Sequence, residues 1–315
     1  MTSLLKATGI GFGTSVDTGL APDTAYFNVG QITLAIPFLL RWLERRRDVR
    51  PLFMLHDVIP LETPEYVEPS AVKGHSAMVD QTARLAAGLI VTTQSAKAAV
   101  LGELHRRGSR QIPTLSLPLP VQAIFRQPAD PDASLAHIPY FVVCGAIEHR
   151  KNQLMLLEVW RRLQRSGKDT PHLVIVGSAG WQGNLIRDRF ERSTDVNKHI
   201  HVVSGLSTPA LHRLMSGARG LLMPSFSEGF GLPVLEAGAL GIPVVASDIP
   251  AHREIARPDT IFVDPIDGPG WGAAILSLLA SKPPARLFGD YATFAWDEYF
   301  GALRDFVREI KATDR

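Results

Sequence analysis

The stretch PSFSEGFGLPVLEAGALGIPVVASDIPAHREI, residues 224–255, decides the fold. The apolar segment GLLMP ends at Pro224, a glycine-containing loop follows, and a helix is predicted to begin near Leu232, where the next residue, a proline, suits the first turn. The following apolar segment, PVVAS, is typical of a buried strand. This order of strand, loop, helix and strand predicts one unit of a parallel α/β sheet.

The loop of this unit carries Glu228, Gly229, Phe230 and Gly231 directly before the helix. Glycines at this place let a ligand approach the backbone, and the free N–H groups of a helix start favour an anion such as a pyrophosphate. Glu236 lies about one turn inside the helix and is expected to point back toward its start. A carboxylate there can accept two hydrogen bonds from a vicinal diol such as a ribose, while Glu228 meets another part of the same ligand.

The alternation of strands and helices extends outward from this unit. From Tyr140 onward, short apolar strands alternate with helices, which predicts a Rossmann-like parallel sheet covered on both faces. The ligand crevice of such a sheet lies at the carboxyl ends of its strands. The first part of the chain is less regular but also α/β, with strands expected at 51–55, 88–93 and 114–117 and helices near 77–87 and 94–107.

Composition excludes several functional classes. The charged fraction is 20% and the formal net charge is +2, so the chain lacks the basic balance of a nucleic-acid binder. The single cysteine, Cys144, excludes an internal disulfide and is expected in a core strand. No signal-peptide pattern is visible, and the longest apolar stretch, 29–40, is too short to span a bilayer. We therefore expect a cytoplasmic protein, soluble or peripheral to the inner face of the membrane.

The spacing of Glu228 and Glu236, with seven residues between them in EGFGLPVLE, resembles the two-glutamate motif of the family 4 (group 1) glycosyltransferases. Residues 140–264 resemble the donor-binding domain of that family, and FVVCGAIEHRKNQLMLLEVWRRL (141–163) resembles its phosphate-binding segment. The resemblance implies a GT-B fold of two Rossmann-like domains. It also implies a retaining transfer from a nucleotide-sugar, which is a substrate, with no cofactor and no required metal.

Two cations follow the strand FVVC, at the predicted start of a helix. The helix dipole disfavours Arg150 and Lys151 at this place, and a bound diphosphate would offset that cost. By the resemblance, Lys151 binds the donor phosphate. Ala146 occupies the position of a second, earlier arginine of the family, so Arg150 is a weaker candidate for the same task.

His56 ends the apolar strand PLFML and begins HDVIP, which places it at a strand's carboxyl end. By the resemblance, it approaches the transferred sugar and positions it. The expected catalytic residues are therefore His56 and Glu228. The expected donor-binding residues are Arg150, Lys151, Gly229, Phe230, Gly231, Leu232 and Glu236.

The resemblance also divides the chain. We expect a shortened N-terminal acceptor-side domain (1–125), a linker (126–139), a nucleotide-sugar donor-binding domain (140–295) and a C-terminal helix that crosses back to the N-terminal domain (296–315). With only 55 residues before His56, we expect nearly normal nucleotide binding, poor sugar transfer and a tendency to associate through an uncovered sheet edge.

The expected partners are the nucleotide-sugar donor and a glycan or lipid-linked acceptor, and no nucleic acid. HDVIPLETPEY and IEHRKN are most similar to bacterial mannosyltransferases that build surface polysaccharides, which favours mannose from GDP-mannose. RWLERRR (41–47) could contact an anionic membrane or form a solvated helix face. Two alternatives stay open: a nucleotide-sugar 2-epimerase on the same fold, and a non-catalytic nucleotide-sugar-binding protein.

Two further motifs are interpreted as coincidental or weak. Asp130-Pro131-Asp132 spells the metal-binding DxD of another glycosyltransferase fold, but it lies in the proline-rich linker away from any strand end. The glycines of GIGFG (9–13) follow no convincing strand, so they give little support to a nucleotide-binding loop.

Overall fold

The computed structural model describes residues 19–128, 132–167, 169–281 and 295–313. The GIGFG glycines and two residues of the DxD, Asp130 and Pro131, lie outside these ranges. The described chain forms two α/β halves, each built on one parallel sheet.

Among residues 19–128, the N-terminal half contains four short strands. Its elements are β1 (Ala25–Asn28), α1 (Gln31–Ala35), α2 (Arg41–Arg45), β2 (Arg50–Met54), α3 (Ile59–Glu62), α4 (Pro69–Leu85), β3 (Gly88–Val91), α5 (Gln94–Arg106) and β4 (Thr114–Ser116). The strands follow one another in the order β1-β2-β3-β4.

In its described ranges, the C-terminal half contains six strands, and a long helix follows them. Its elements are β5 (Tyr140–Cys144), α6 (Gln153–Arg165), β6 (His172–Val176), α7 (Gly183–Arg192), β7 (Ile200–Val203), α8 (Thr208–Gly217), β8 (Gly220–Met223), α9 (Leu232–Ala239), β9 (Val244–Ser247), α10 (Pro250–Ile255), β10 (Ile261–Val263), α11 (Gly268–Ala280) and α12 (Trp296–Thr313).

The C-terminal sheet is covered on both faces, as its strand composition predicts. Alternate residues of β5 enter two different cores, because successive side chains of a strand point to opposite faces. Val142 packs in the core beneath α9, whereas Phe141 and Val143 pack in the other core with the fully buried Trp160 and Trp271. A sheet buried on both faces leaves only its loop-bearing ends open to a ligand.

The strand order β10-β9-β8-β5-β6-β7 places the first strand of this sheet, β5, between β8 and β6. The chain therefore runs from β5 to one side of the sheet and later returns to the other side at β8. In open α/β sheets, the crevice for a ligand lies at the carboxyl ends of the strands where this reversal occurs. The loops that follow β5 and β8 form that crevice here.

Helix α12 lies against the N-terminal sheet although it follows the C-terminal half in sequence. Its Phe306 and Ile310 pack on Leu52, Met54 and Ile90, on the face opposite α1, α4 and α5. This packing joins the last described helix to the first sheet. It also requires a close approach at Gly88, where an added Cβ would meet the side chains of Ile310 and Phe306.

Several elements differ from the sequence-based expectation. Helix α4 begins at Pro69, well before the predicted start near residue 77. The sequence pattern misses its first turns because Ser70, Lys73 and Gly74 interrupt the apolar periodicity there. Val121 and Phe125, expected at the end of the N-terminal domain, pack in the core of the C-terminal half. The division into these four segments stays a prediction.

Within the described ranges, no helix combines the length and the apolarity that crossing a bilayer requires.

Replacing Gly88 tests the packing of α12. Gly88→Val should lower the free energy of unfolding by about 1–3 kcal/mol, since the new side chain must displace Ile310 and Phe306. Urea unfolding measures this loss. The control is Gly102→Ala in α5, where the nearest atom would lie 3.9 Å from the new Cβ. This variant should raise the free energy of unfolding by up to about 1 kcal/mol. Equal stability of Gly88→Val and the unmodified chain would contradict this position of α12.

Candidate active site

The crevice is formed by loops from both halves. Glu228 follows β8, and Arg150 and Lys151 follow β5, so these three side chains lie on the two sides of the point where the strand order reverses. From the N-terminal half, His56 follows β2, and its backbone carbonyl lies close to Gly229. The structure therefore brings Glu228, Arg150, Lys151 and the backbone of His56 to one crevice.

Glu228 is a buried carboxylate held by three partners. Its Oε1 accepts hydrogen bonds from Lys151 Nζ at 2.5 Å and from Ser225 Oγ at 2.7 Å, and its Oε2 lies 3.2 Å from Arg150 Nη1. Burial alone would raise the pKa of Glu228, but the charges of Lys151 and Arg150 outweigh it and lower the pKa. Glu228 is therefore ionised, and it holds both cations.

Arg150 is fixed within the loop rather than extended into the crevice. Its Nη2 donates to Glu148 at 2.7 Å, and its Nη1 donates to the Ser227 carbonyl at 2.7 Å. Burial would lower the pKa of Arg150, but the charges of Glu228, Glu148 and Asp57 raise it. A cation with these partners has little capacity left for a phosphate, so Arg150 joins the loop after β5 to the loop after β8.

Lys151 has one carboxylate partner, Glu228, and lies in a space that Gly145 provides. Gly145 adopts a φ of +136°, and a Cβ on it would lie 3.4 Å from Lys151 Cε. A glycine at the end of β5 thus permits both the turn and the lysine stem. The ammonium can exchange Glu228 for a phosphate without moving a second ion pair.

The pKa of Glu236 is shifted in the opposite direction to that of Glu228. Glu236 is buried in α9, with 7% of its surface exposed, and within the described ranges its side chain makes no hydrogen bond. Burial raises the pKa of Glu236 to about 7. The neighbouring Cys144 thiol does not act as an acid toward Glu236. Burial, with a smaller contribution from the charge of Glu236, raises the pKa of Cys144 to about 12.

The two glycines of the loop serve different purposes. Gly231 forms the N-cap of α9 at a φ of +94°, a conformation that side chains disfavour. Gly229 lies against the N-terminal half, where an added Cβ would lie 2.6 Å from Asp57 Oδ2 and 3.0 Å from the His56 carbonyl oxygen. The sequence attributes Gly229 to ligand approach, and the structure adds the approach of the other half of the chain.

The remaining predicted residues support this loop or line the crevice. Phe230 is buried in the core beneath α9, and Leu232 begins that helix and packs against the same core. His56 is half-buried, and its imidazole has no hydrogen bond within the described part of the chain. It is therefore available to a ligand at the carboxyl end of β2.

A cavity of about 250 Å³ lies between the two halves beside this loop. The N-terminal half contributes Asp57, Glu62 and Ser95, and the C-terminal half contributes the backbone and side chains of 226–229 and 249–251. Polar groups from both halves therefore face one space.

Several residues of the site escape the sequence analysis. Glu148 and Ser225 fix Arg150 and Glu228, but each looks like an ordinary loop residue. His252 lies within the stretch 224–255, but the sequence assigns it no role. Its Nδ1 donates to the Ser247 carbonyl at 3.0 Å, and burial lowers the pKa of His252, so the ring is neutral beneath Gly231.

The described part of the DxD has a local function. Asp132 Oδ1 accepts hydrogen bonds from the backbone N–H of Ser134 at 2.9 Å and from its hydroxyl at 2.6 Å. It thereby caps the 3₁₀ turn Ala133–Leu135.

Comparison with known proteins identifies the family. The family model "Glycosyl transferases group 1" matches residues 134–293. The serotype-specific mannosyltransferase WbdA of Escherichia coli is 29% identical over 218 residues, which cover 65% of this chain and 27% of that protein. The O-antigen chain mannosyltransferase B of Escherichia coli is 28% identical over 258 residues, which cover 79% of this chain and 67% of that protein.

Solved structures support the fold. Sucrose-phosphate synthase from Thermosynechococcus elongatus superposes with a TM-score of 0.72 at 20% identity, covering 92% of this chain and 74% of that one. HepE of Anabaena, solved with UDP-glucose, gives a TM-score of 0.66 at 16% identity over 92% of this chain and 78% of its own. These glycosyltransferases confirm the predicted GT-B type of two Rossmann-like halves.

The match to the family model covers half of the chain and contains both glutamates, both cations and the sheet that positions them. The chain belongs to the group 1 glycosyltransferases.

Proposed function

We propose that the chain is a retaining glycosyltransferase that transfers mannose from GDP-mannose to a glycan or lipid-linked acceptor. The observation that carries the proposal is Glu236, a buried carboxylate without a hydrogen-bonding partner among the described residues, one turn inside the helix that begins at the crevice. An unpaired buried carboxylate is costly. Two hydrogen bonds from a ribose diol would offset that cost.

The diphosphate of the donor would lie between Lys151 and the start of α9. The first amides of that helix have no side-chain cap in the described structure, and the positive end of the helix attracts an anion. Lys151 would turn from Glu228 to the diphosphate and stabilise the charge that develops on it as the sugar leaves. These groups supply positive charge to the leaving diphosphate, so we propose a transfer without a required metal.

Glu228 would change its partner in the same step. Once the diphosphate takes Lys151, one oxygen of Glu228 becomes free to accept a hydrogen bond from a hydroxyl of the sugar, while Arg150 continues to hold the other. His56, from the opposite half, would donate or accept a further hydrogen bond on the same sugar. The phosphate of the nucleotide would receive the proton of the acceptor hydroxyl.

The names of the relatives support the choice of sugar. WbdA and the O-antigen chain mannosyltransferase B are named for mannose transfer, whereas HepE was solved with UDP-glucose. We therefore propose mannose first and glucose as the competing donor sugar. The acceptor would lie on the N-terminal side, in the space lined by Asp57, Glu62 and Ser95.

A panel of donors tests the proposal directly. The purified chain is incubated with GDP-mannose, UDP-glucose and UDP-N-acetylglucosamine together with a mannose-terminated oligosaccharide, and the products are followed by mass spectrometry and NMR. The proposal expects mannose transfer with the donor's anomeric configuration kept. Epimerised donor would show a 2-epimerase instead, and tight binding without any product would show a binding protein.

Glu236→Gln separates stability from nucleotide binding. The variant should unfold less readily than the unmodified chain at pH 8.5, by roughly 2–3 kcal/mol, because it removes a buried charge. The same variant should bind GDP more weakly by about 1.5–3 kcal/mol, because a charged acceptor for the ribose is lost. Urea unfolding and calorimetry measure the two effects.

The pH dependence follows from the raised pKa of Glu236. Between pH 4.5, the ordinary pKa of a glutamate, and about pH 7, Glu236 keeps a proton in the folded chain that it has lost in the unfolded chain. The contribution to stability is therefore complete below pH 4.5 and is lost as the pH rises through 7. The variant and the unmodified chain should be equally stable at pH 4.5, and a stability gap that is constant with pH would contradict the buried, titrating carboxylate.

Lys151→Ala should weaken GDP binding and leave guanosine binding nearly intact, because the lost interaction is with phosphate charge. We expect a loss of about 1.5–3 kcal/mol for GDP by calorimetry. Lys198→Ala, which removes an exposed lysine outside the crevice, is the matched control and should change neither affinity. Equal losses for GDP and guanosine would contradict the assignment to phosphate.

We further propose that the protein is held at the inner face of the membrane by the surface around α1 and α2. The apolar side chains exposed there are Ile32 (78%), Phe38 (72%), Val29 (62%), Leu39 (45%) and Ile36 (43%). Three exposed cations follow in sequence, Arg41, Arg45 and Arg47. An apolar surface beside arginines suits a lipid interface with anionic headgroups.

Vesicle sedimentation tests this contact. The chain should sediment with vesicles that contain phosphatidylglycerol and less with pure phosphatidylcholine, and Phe38→Ser should reduce the bound fraction severalfold because it removes buried apolar area in the bilayer. Leu185→Ser, which changes a side chain that is 63% exposed on the C-terminal half, is the control and should bind normally. Binding that is independent of anionic lipid, or unaffected by Phe38→Ser, would contradict the proposal.

A further inference from the structure

Two sets of hydrogen bonds join the halves beside the donor loop. The hydroxyls of Thr92 and Thr93 donate to the Gly229 carbonyl at 3.3 Å and 3.1 Å. The carboxylate of Glu254, on α10, accepts the backbone N–H of Gln94 at 2.6 Å and 2.8 Å and that of Ser95 at 3.3 Å. We call these five hydrogen bonds the clasp.

The contact of Glu254 is favoured by elementary electrostatics. The first N–H groups of α5 have no acceptor within their own helix, and the helix dipole makes this end positive. Thr93 caps α5 by accepting the N–H of Ala96, which leaves the amides of Gln94 and Ser95 for another acceptor. A carboxylate from the opposite half fills that need with charge-assisted hydrogen bonds.

The clasp also fixes the donor loop against the N-terminal half. Thr92 and Thr93 lie between β3 and α5, so the position of α5 sets the position of the two hydroxyls on the Gly229 carbonyl. Where the two halves meet in this way, the backbone of His56 and the carboxylate of Asp57 lie directly against Gly229. One movement of α5 relative to α10 would therefore change the distance between His56 and the loop that carries Glu228.

We infer that Glu254 is a positioning residue, which holds the two halves at the separation where His56 and Glu228 meet the same sugar. This inference rests on the proposed sugar transfer. Glu254 itself is exposed and belongs to neither the ion-pair cluster of Glu228 nor the core beneath α9. Its loss therefore changes the geometry between the halves, while the groups that bind the nucleotide keep their partners.

Glu254→Ala is compared with the unmodified chain in three measurements. GDP affinity by calorimetry should stay within about twofold, while kcat for sugar transfer should fall at least tenfold, since a displacement of about 1 Å in a reacting group costs on the order of a hundredfold. Hydrogen exchange at the amides of Gln94 and Ser95 should accelerate at least tenfold, because their hydrogen bonds are lost. The radius of gyration by small-angle X-ray scattering should increase.

Two further variants make the outcome decisive. Thr92→Val removes one of the two hydroxyls that donate to the Gly229 carbonyl, and it should also lower kcat while GDP affinity is kept. Glu254→Gln keeps one acceptor oxygen, so its kcat and its exchange rates should lie between those of Glu254→Ala and those of the unmodified chain. Glu191→Ala, on the exposed face of α7, is the matched control and should change none of the readouts.

The inference and the proposed function fail differently. If the unmodified chain transfers no sugar, the proposed function is contradicted, but exchange and scattering still report whether Glu254 joins the halves. If transfer occurs and Glu254→Ala keeps the full kcat, or if the amides of Gln94 and Ser95 exchange at the unmodified rate, Glu254 is not a positioning residue.

Discussion

The ion pair between Glu228 and Lys151 is the interaction on which the site depends. It spans the reversal in strand order, because the lysine follows β5 and the glutamate follows β8. A buried pair is tolerable only when its remaining lone pairs and protons are satisfied, and Ser225 and Arg150 supply those partners. Removing Glu228 would leave the Lys151 ammonium without its carboxylate partner. The pair therefore fixes the loop after β5 to the loop after β8, and we propose that the donor diphosphate replaces the carboxylate as the partner of Lys151.

The two glutamates of one nine-residue motif are in opposite electrostatic states. Cations keep Glu228 ionised, whereas burial raises the pKa of Glu236 to about 7. Glu228 stabilises the folded chain through its ion pairs, whereas the buried Glu236 carboxylate lowers its stability. A site that carries one satisfied and one unsatisfied carboxylate is arranged for a ligand with both hydroxyls and phosphates. We therefore propose a nucleotide as the ligand, in preference to a simple sugar or a simple anion.

Local signals in the sequence predict the donor loop and the α/β fold well. The glycines, the proline after Leu232 and the apolar segments on either side act within a few residues, so β8, α9 and β9 are found close to their expected limits. The sheet order, the partners of Glu228 and the contacts of Glu254 join residues far apart in sequence. Glu228 and Lys151 are 77 residues apart, and Glu254 and Gln94 are 160 apart. No local pattern encodes such pairs, which explains why the sequence assigns Gly229 to the ligand alone.

A crystal structure of the chain with GDP tests the central claim most directly. The account predicts that the ribose hydroxyls donate to the Glu236 carboxylate. It also predicts that the diphosphate lies between the Lys151 ammonium and the first amides of α9, with the pair between Lys151 and Glu228 broken. A nucleotide bound outside this crevice, or bound within it with Glu236 unpartnered and Lys151 still on Glu228, would contradict the account.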